Sequence, residues 1–161
     1  MNNDNKEREF TTLVQQYKST VYAVCYMFAD NRTELEDLFQ EVILRLWTGF
    51  GSFRGEADVR TWIYRVSMNC CLNLQRRMRR AGRHVPLNVD VDLFEDISER
   101  MLQVRRLYDR IHRLGLVDRA LILLWLEGLS YEEIGAVMGI SVKNVSFQLH
   151  RIKELLKKMK I

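Results

Sequence analysis

A chain of 161 residues with 47% hydrophobic side chains can bury a core, which excludes generic disorder. One proline and eight glycines supply few turn signals for a strand-rich fold and leave room for long helices. The formal net charge of +4 decides nothing alone, but three cysteines, two of them adjacent, fit neither a paired disulfide framework nor a C-x-x-C metal spacing.

The first ten residues hold no apolar run of the signal-peptide kind. The longest apolar runs, 21–29 and 120–126, fall short of the ~20 residues that span a bilayer. The expectation is a cytoplasmic protein without membrane insertion, its thiols reduced and buried.

Residues 10–28 carry apolar side chains at Phe10, Leu13, Val14, Tyr17, Val21, Val24 and Phe28, the period of a helix. Thr33, with Glu36 three residues on, has the form of a capping box for a second helix running to about Trp47. Its stripe is Leu35, Leu38, Val42 and Leu46, widened by Phe39, Ile43 and Trp47. Gly49, Gly51, Ser52 and Gly55 mark a loop. Asp58 then opens a helix to about Arg80, with Val59, Ile63, Val66, Cys70 and Leu74 as its expected buried stripe. Arg65, Asn69, Asn73, Arg76 and Arg80, three or four residues apart, share another face.

Residues 81–98 contain Gly82, Pro86 and Asp90, Asp92, Glu95 and Asp96, with no sustained period, and read as a linker. Four more helices follow, near 99–114, 117–127, 131–138 and 142–159. Gly115 and Gly128 suit helix exits, Ser130 with Glu133 forms a capping box, and Ser141 caps the last helix after a short turn at Gly139. The fold class is therefore all-α: two small helical domains joined by a flexible linker, the C-terminal one containing a helix-turn-helix. The domains are 1–80 and 99–161.

Charge is distributed unevenly. Residues 53–80 carry an excess of five positive charges, 84–99 an excess of five negative, and 143–161 an excess of five positive again. The last helix would expose Lys143, Asn144, Phe147, Gln148 and Arg151 above a core of Ile134, Val137, Ile140, Val145 and Leu149. A major groove admits one helix, and amide and guanidinium groups read base edges there; Gln148 suits adenine's two-atom edge. A helical hairpin with a solvated basic face would show the same pattern. In 53–80, Phe53, Trp62 and Tyr64 lie among Arg54, Arg60, Arg65, Arg76 and Arg77, the mixture of stacking surfaces and cations that holds single-stranded DNA. Trp62 is also close enough to the buried stripe to be core. Asp37, Gln40 and Glu41 share the polar side of the second helix, as either a solvated face or a docking surface.

Three stretches together resemble the sigma-70 family, in its two-domain extracytoplasmic-function class. They are Glu36-Asp37-Leu38-Phe39-Gln40-Glu41-Val42-Ile43-Leu44-Arg45-Leu46-Trp47; Phe53-Arg54-Gly55 with Thr61-Trp62-Ile63-Tyr64-Arg65-Val66 and Asn69; and Leu129-Ser130-Tyr131-Glu132-Glu133-Ile134. The resemblance implies a sigma factor that directs core RNA polymerase to specific promoters. It gives Asp37, Gln40 and Glu41 to polymerase binding. It gives Arg54, Trp62, Arg65, Asn69, Arg76 and Arg77 to the upstream promoter strand, with Asn69 the base reader, and Lys143, Asn144, Phe147, Gln148 and Arg151 to duplex DNA. It also implies an anti-sigma partner.

Two departures stand out. Leu114-Gly115-Leu116 replaces the family's frequent Leu-Pro, and Ser146 and Gln148 stand where a basic pair is common. His84, His112 and His150 are scattered, and no nucleophile elbow, phosphate loop or metal-ligand set is present, so neither catalysis nor a cofactor is expected. The alternative reading is a helix-turn-helix regulator that binds DNA without polymerase; a third is a helical interaction module with solubilising basic faces.

Overall fold

The computed structural model describes residues 3–53, 58–81 and 99–159, the side chains of 99–105 excepted. Arg54 and the expected linker beyond Ala81 lie outside the described residues. Among the described residues there are seven α-helices and no strand: α1 (Asn3–Phe28), α2 (Arg32–Phe50), α3 (Val59–Arg80), α4 (Glu99–His112), α5 (Leu116–Leu126), α6 (Tyr131–Met138) and α7 (Val142–Lys158). They fall into two compact units. One holds α1, α3 and α2 from Thr33 onward; the other holds α4–α7.

In the first unit α1 packs along α3. Val21, Val24, Cys25, Met27 and Phe28 of α1 are buried, as are Leu35, Leu38, Val42 and Leu46 of α2. Helix α1 starts seven residues before the apolar pattern does. No glycine or proline interrupts 3–9, Asp4 complements the helix dipole, and the Lys6 ammonium sits 4.7 Å from the Trp47 ring. Helix α2 likewise runs past Trp47 because Phe10 holds both Trp47 and Phe50, at ring separations of 5.0 and 5.4 Å. It begins at Arg32, so Thr33 lies inside the helix and is not its cap.

Helix α3 departs most from its expected stripe. Ile63 and Cys70 are buried, but Val59, Val66 and Leu74 are only half-buried. The buried side also takes Thr61, Tyr64, Ser67, Met68, Cys71, Leu72 and Gln75. Thr61, Ser67 and Gln75 among these are polar, so hydropathy alone pointed the helix about one residue off. Gln75 shows why a polar residue belongs there: its Nε2 donates to the Phe28 carbonyl at 2.7 Å and to the Glu34 carboxylate, joining all three helices. Cys25 and Cys71 lie with their sulfurs 3.9 Å apart in the same core.

The second unit is built around α5, which contacts α4, α6 and α7. Leu116 and the run from Arg119 to Leu124 are buried. Gly115 is not a helix exit; it is the N-cap of α5 with φ −60°. Arg119, 2% exposed, donates from Nη2 to the carbonyls of His112 at 2.6 Å and Leu114 at 3.3 Å, where α4 ends. A guanidinium at a helix C-terminus satisfies carbonyls that have no helical partner.

Candidate nucleic-acid interfaces

Asp37 and Gln40 are exposed on α2, and Glu41 is half-buried. Glu41 accepts from Arg45 Nε at 3.2 Å across one helical turn. Leu44, one turn beyond Gln40 on the same face, is 56% exposed. Sequence reasoning passed over it. Its sign was an apolar residue out of phase with the buried stripe of α2.

Along α3, the half-buried Val66 and Leu74 face a groove of about 520 Å³. Arg45, Asn69, Cys70, Asn73, Arg77 and Arg80 complete its lining. The apolar side chains and the thiol give it a patch able to take a flat ring, and two carboxamides and three guanidiniums can meet base edges and phosphates. Burial first, and Glu41 second, push the Cys70 thiol up to about 11, so it enters the groove uncharged. The groove gathers Asn69 and Arg77 from the expected strand-binding set. Arg65, half-buried, and Arg76, exposed, are not among its lining, nor is Trp62. Trp62 stacks on Phe53 at a ring separation of 4.8 Å. Asn73 and Arg80 were legible as sharing a face with Asn69 but were not named as site residues. Arg45 comes from a different helix, which spacing along α3 cannot reveal.

The second surface is built by a tight turn. Ser130 accepts from the Glu133 amide at 3.1 Å while the Glu133 carboxylate accepts from the Ser130 amide at 3.0 Å, the capping box that starts α6. Gly139 takes φ +71°, and the amides of Gly139 and Ile140 both donate to the Gly135 carbonyl, at 2.8 and 3.1 Å. A Cβ on Gly135 would lie 2.7 Å from the Ile140 carbonyl oxygen, so the approach itself requires glycine. Ser141 then accepts from the Asn144 amide at 3.1 Å and starts α7. Ile134, Val137, Val145 and Leu149 are buried where expected, and Ile140 is half-buried. Lys143, Asn144, Phe147 and Arg151 are exposed, Phe147 at 68%, and Gln148 is half-buried. This is a helix-turn-helix whose second helix presents its polar residues and one aromatic ring outward.

Two family models match: Sigma-70 region 2 over residues 13–81, and Sigma-70, region 4 over residues 105–156. The RNA polymerase sigma-H factor of Pseudomonas aeruginosa is 30% identical over 166 residues, covering 94% of this chain and 86% of that one. The chain belongs to the sigma-70 family. The ECF RNA polymerase sigma-E factor of Haemophilus influenzae, 28% identical over 93% of this chain and 86% of its own, places it in the extracytoplasmic-function class. As a sigma factor it directs RNA polymerase to promoters. Among solved structures, the sigma factor RpoE bound to the anti-sigma factor NepR from Bartonella quintana is similar with a TM-score of 0.76 at 18% identity, covering 94% of this chain and 96% of that one. CnrH bound to the cytosolic domain of CnrY gives 0.69 at 22%, covering 94% and 86%. These two likenesses speak for the fold.

The groove of this sigma factor falls inside the region 2 match, and its helix-turn-helix, all but the last two residues of α7, inside the region 4 match. No helix among the described residues is long and apolar enough to cross a membrane. No group of three or more His, Cys, Asp or Glu among them is placed to hold a metal ion.

Proposed function

We propose that this sigma factor divides its work among three surfaces on two domains, 1–80 and 99–161, with 81–98 between them. The α2 face of Asp37, Gln40 and Glu41 binds core polymerase, and the exposed Leu44 supplies the apolar centre that a protein contact needs. The α3 groove holds the upstream promoter strand: Asn69 and Asn73 meet bases and Arg77 and Arg80 meet phosphates, while Arg54, Trp62, Arg65 and Arg76 also serve strand binding, as the family resemblance implies. Helix α7 enters the major groove of the more distant element with Lys143, Asn144, Phe147, Gln148 and Arg151. The observation that carries the reading is the groove, where two carboxamides, three guanidiniums and an apolar lining meet.

Polymerase supplies the chemistry of transcription, and no residue of this chain is given a catalytic role. The site of action is the cytoplasm. An anti-sigma protein is the regulatory partner, a reading supported by the likeness to RpoE in its complex with the anti-sigma factor NepR.

The test is run-off transcription with purified core polymerase and a promoter library. Asp37→Lys with Glu41→Lys is expected to abolish co-purification with core polymerase while leaving the helical circular dichroism unchanged. Asn69→Ala is expected to flatten sequence preference, and Arg77→Ala to weaken all promoters evenly with a shallower salt dependence. Undiminished core binding by the charge-reversed α2 face would refute the polymerase surface.

A further inference from the structure

We propose that Asp118 of α5 is a positioning residue that sets which base α7 reads, favouring guanine over adenine; the inference rests on α7 being the duplex-reading helix. Asp118 Oδ1 accepts from Arg151 Nη2 at 2.6 Å. Arg151 in turn donates to Gln148 Oε1 twice, from Nη2 at 2.7 Å and from Nε at 3.1 Å. Gln148 Nε2 then donates to Asn144 Oδ1 at 3.5 Å. Asp118 is 23% exposed and Arg151 42%, so the pair sits at the rim of the helix-turn-helix and is not sealed in its core.

The chemistry of the chain of bonds is one-directional. Arg has five N–H donors and no acceptor, so the Gln148 atom that faces it is the carbonyl oxygen. That oxygen is Gln148's only acceptor group, and the guanidinium occupies it twice. Asn144's carbonyl accepts one bond, from Gln148 Nε2, and keeps its second lone pair. The outward chemistry left to Gln148 and Arg151 is therefore N–H alone.

Bidentate recognition of adenine requires one donor for N7 and one acceptor for the N6 amino group. The latched Gln148 has no acceptor to give. Guanine offers N7 and O6, two acceptors side by side, and suits the donors that Gln148 and Arg151 present. The adenine reading that Gln148 invites from sequence is thus reversed by its neighbour, and Asp118 is what holds that neighbour in place. The same carboxylate lowers the positive charge of the face by one.

Two effects follow, and they separate. Removing the carboxylate adds one net positive charge to the duplex-facing surface, which raises affinity for every sequence and steepens the salt dependence by up to about one counterion. Removing the latch lets Gln148 turn its carbonyl outward to accept from the adenine amino group, which erases the guanine preference at the position Gln148 reads. A residue serving stability alone would do neither, since its loss lowers affinity on all sequences together.

The experiment uses the full-length chain assembled with core polymerase. Holoenzyme is selected on promoters randomised across the duplex segment contacted by α7, and the bound pool is sequenced at several salt concentrations. Wild type is expected to enrich guanine at one position, and Gln148→Ala to lose that enrichment. Asp118→Ala is expected to lose the enrichment while binding the unselected pool roughly threefold or more tighter at ~50 mM salt. Asp118→Asn keeps an acceptor but no charge, and is expected to keep most of the guanine preference while gaining affinity as the alanine variant does. Adenine enrichment in wild type, or an Asp118→Ala profile identical to wild type, overturns the proposal while leaving α7 as the reader. A wild-type pool with no base preference anywhere in the segment removes α7 as the reader, and the positioning role with it.

Discussion

Gln75→Leu tests how three helices are held in the first unit. Gln75 is 1% exposed, and its amide makes one bond to the carbonyl that ends α1 and one to a carboxylate in the first turn of α2. A neutral hydrogen bond contributes about 1 kcal/mol net, and one to a charged group about 1.5–3. Leucine of similar volume recovers roughly 1 kcal/mol through apolar burial. The expected net loss is about 2 kcal/mol. The three tryptophans make the assay selective: Trp47 and Trp62 lie in the first unit and Trp125 in the second. In a Trp125→Phe background, urea unfolding followed by fluorescence reports the first unit alone. With a slope of roughly 1–2 kcal/mol per molar, the midpoint is expected to fall by about 1–2 M. Gln75→Glu is expected to do worse near neutral pH, because it sets a second carboxylate against Glu34. A midpoint shift below about 0.3 M for Gln75→Leu would show that the three-helix junction does not depend on this amide.

Periodicity located the seven described helices in order, and side-chain caps at Asp58, Ser130 and Ser141 mark the starts of α3, α6 and α7. It failed where a neighbouring element, and not the helix's own pattern, decides the outcome. The first turns of α1 are polar throughout, and it is Trp47 on another helix that gives Lys6 a reason to order. The buried side of α3 is rotated by a residue because Gln75 meets partners from α1 and α2 that no spacing rule sees, and Thr61 and Ser67 are buried on the same helix with it. Val66 and Leu74, taken for core, instead line the groove. The helix-turn-helix was the most legible part. Its capping box, its left-handed glycine and its N-cap serine are all local devices, within four residues of the backbone they serve. Of its outward residues, the sequence named those on α7 but not Asp118, thirty-three residues away from Arg151, which changes what they can bind.

The remaining predictions probe the second unit and the groove. Gly135→Val forces a side chain against the Ile140 carbonyl and Val145, so the second unit is expected to lose roughly 1–3 kcal/mol, read from Trp125 fluorescence; an unchanged midpoint would mean that the turn relaxes freely. Arg119→Met strips the His112 and Leu114 carbonyls of their buried donor and is expected to lower the same midpoint by about 2–3 kcal/mol; a neutral result would assign those carbonyls to water. Cys70 predicts a pH dependence. Its thiol, 7% exposed, is pushed up from the ordinary 9.0 to about 11, first by burial and then by the nearby Glu41 carboxylate. Below pH 9 both folded and unfolded chains keep this proton, and its contribution to stability is fully present. As pH rises from about 9 to 11, the unfolded chain releases the proton and the folded chain holds it, so unfolding gains favour by up to about 1.4 kcal/mol for each pH unit between the two values. Lysines and tyrosines titrate in the same window, so the quantity to measure is the difference between wild type and Cys70→Ala. That difference is expected to be flat below pH 8.5 and to fall between pH 9 and 11, with a smaller fall in a Glu41→Gln background. A difference that stayed flat to pH 10.5 would place a thiolate in the groove, beside Arg45 and Arg77, and would change what that groove can hold.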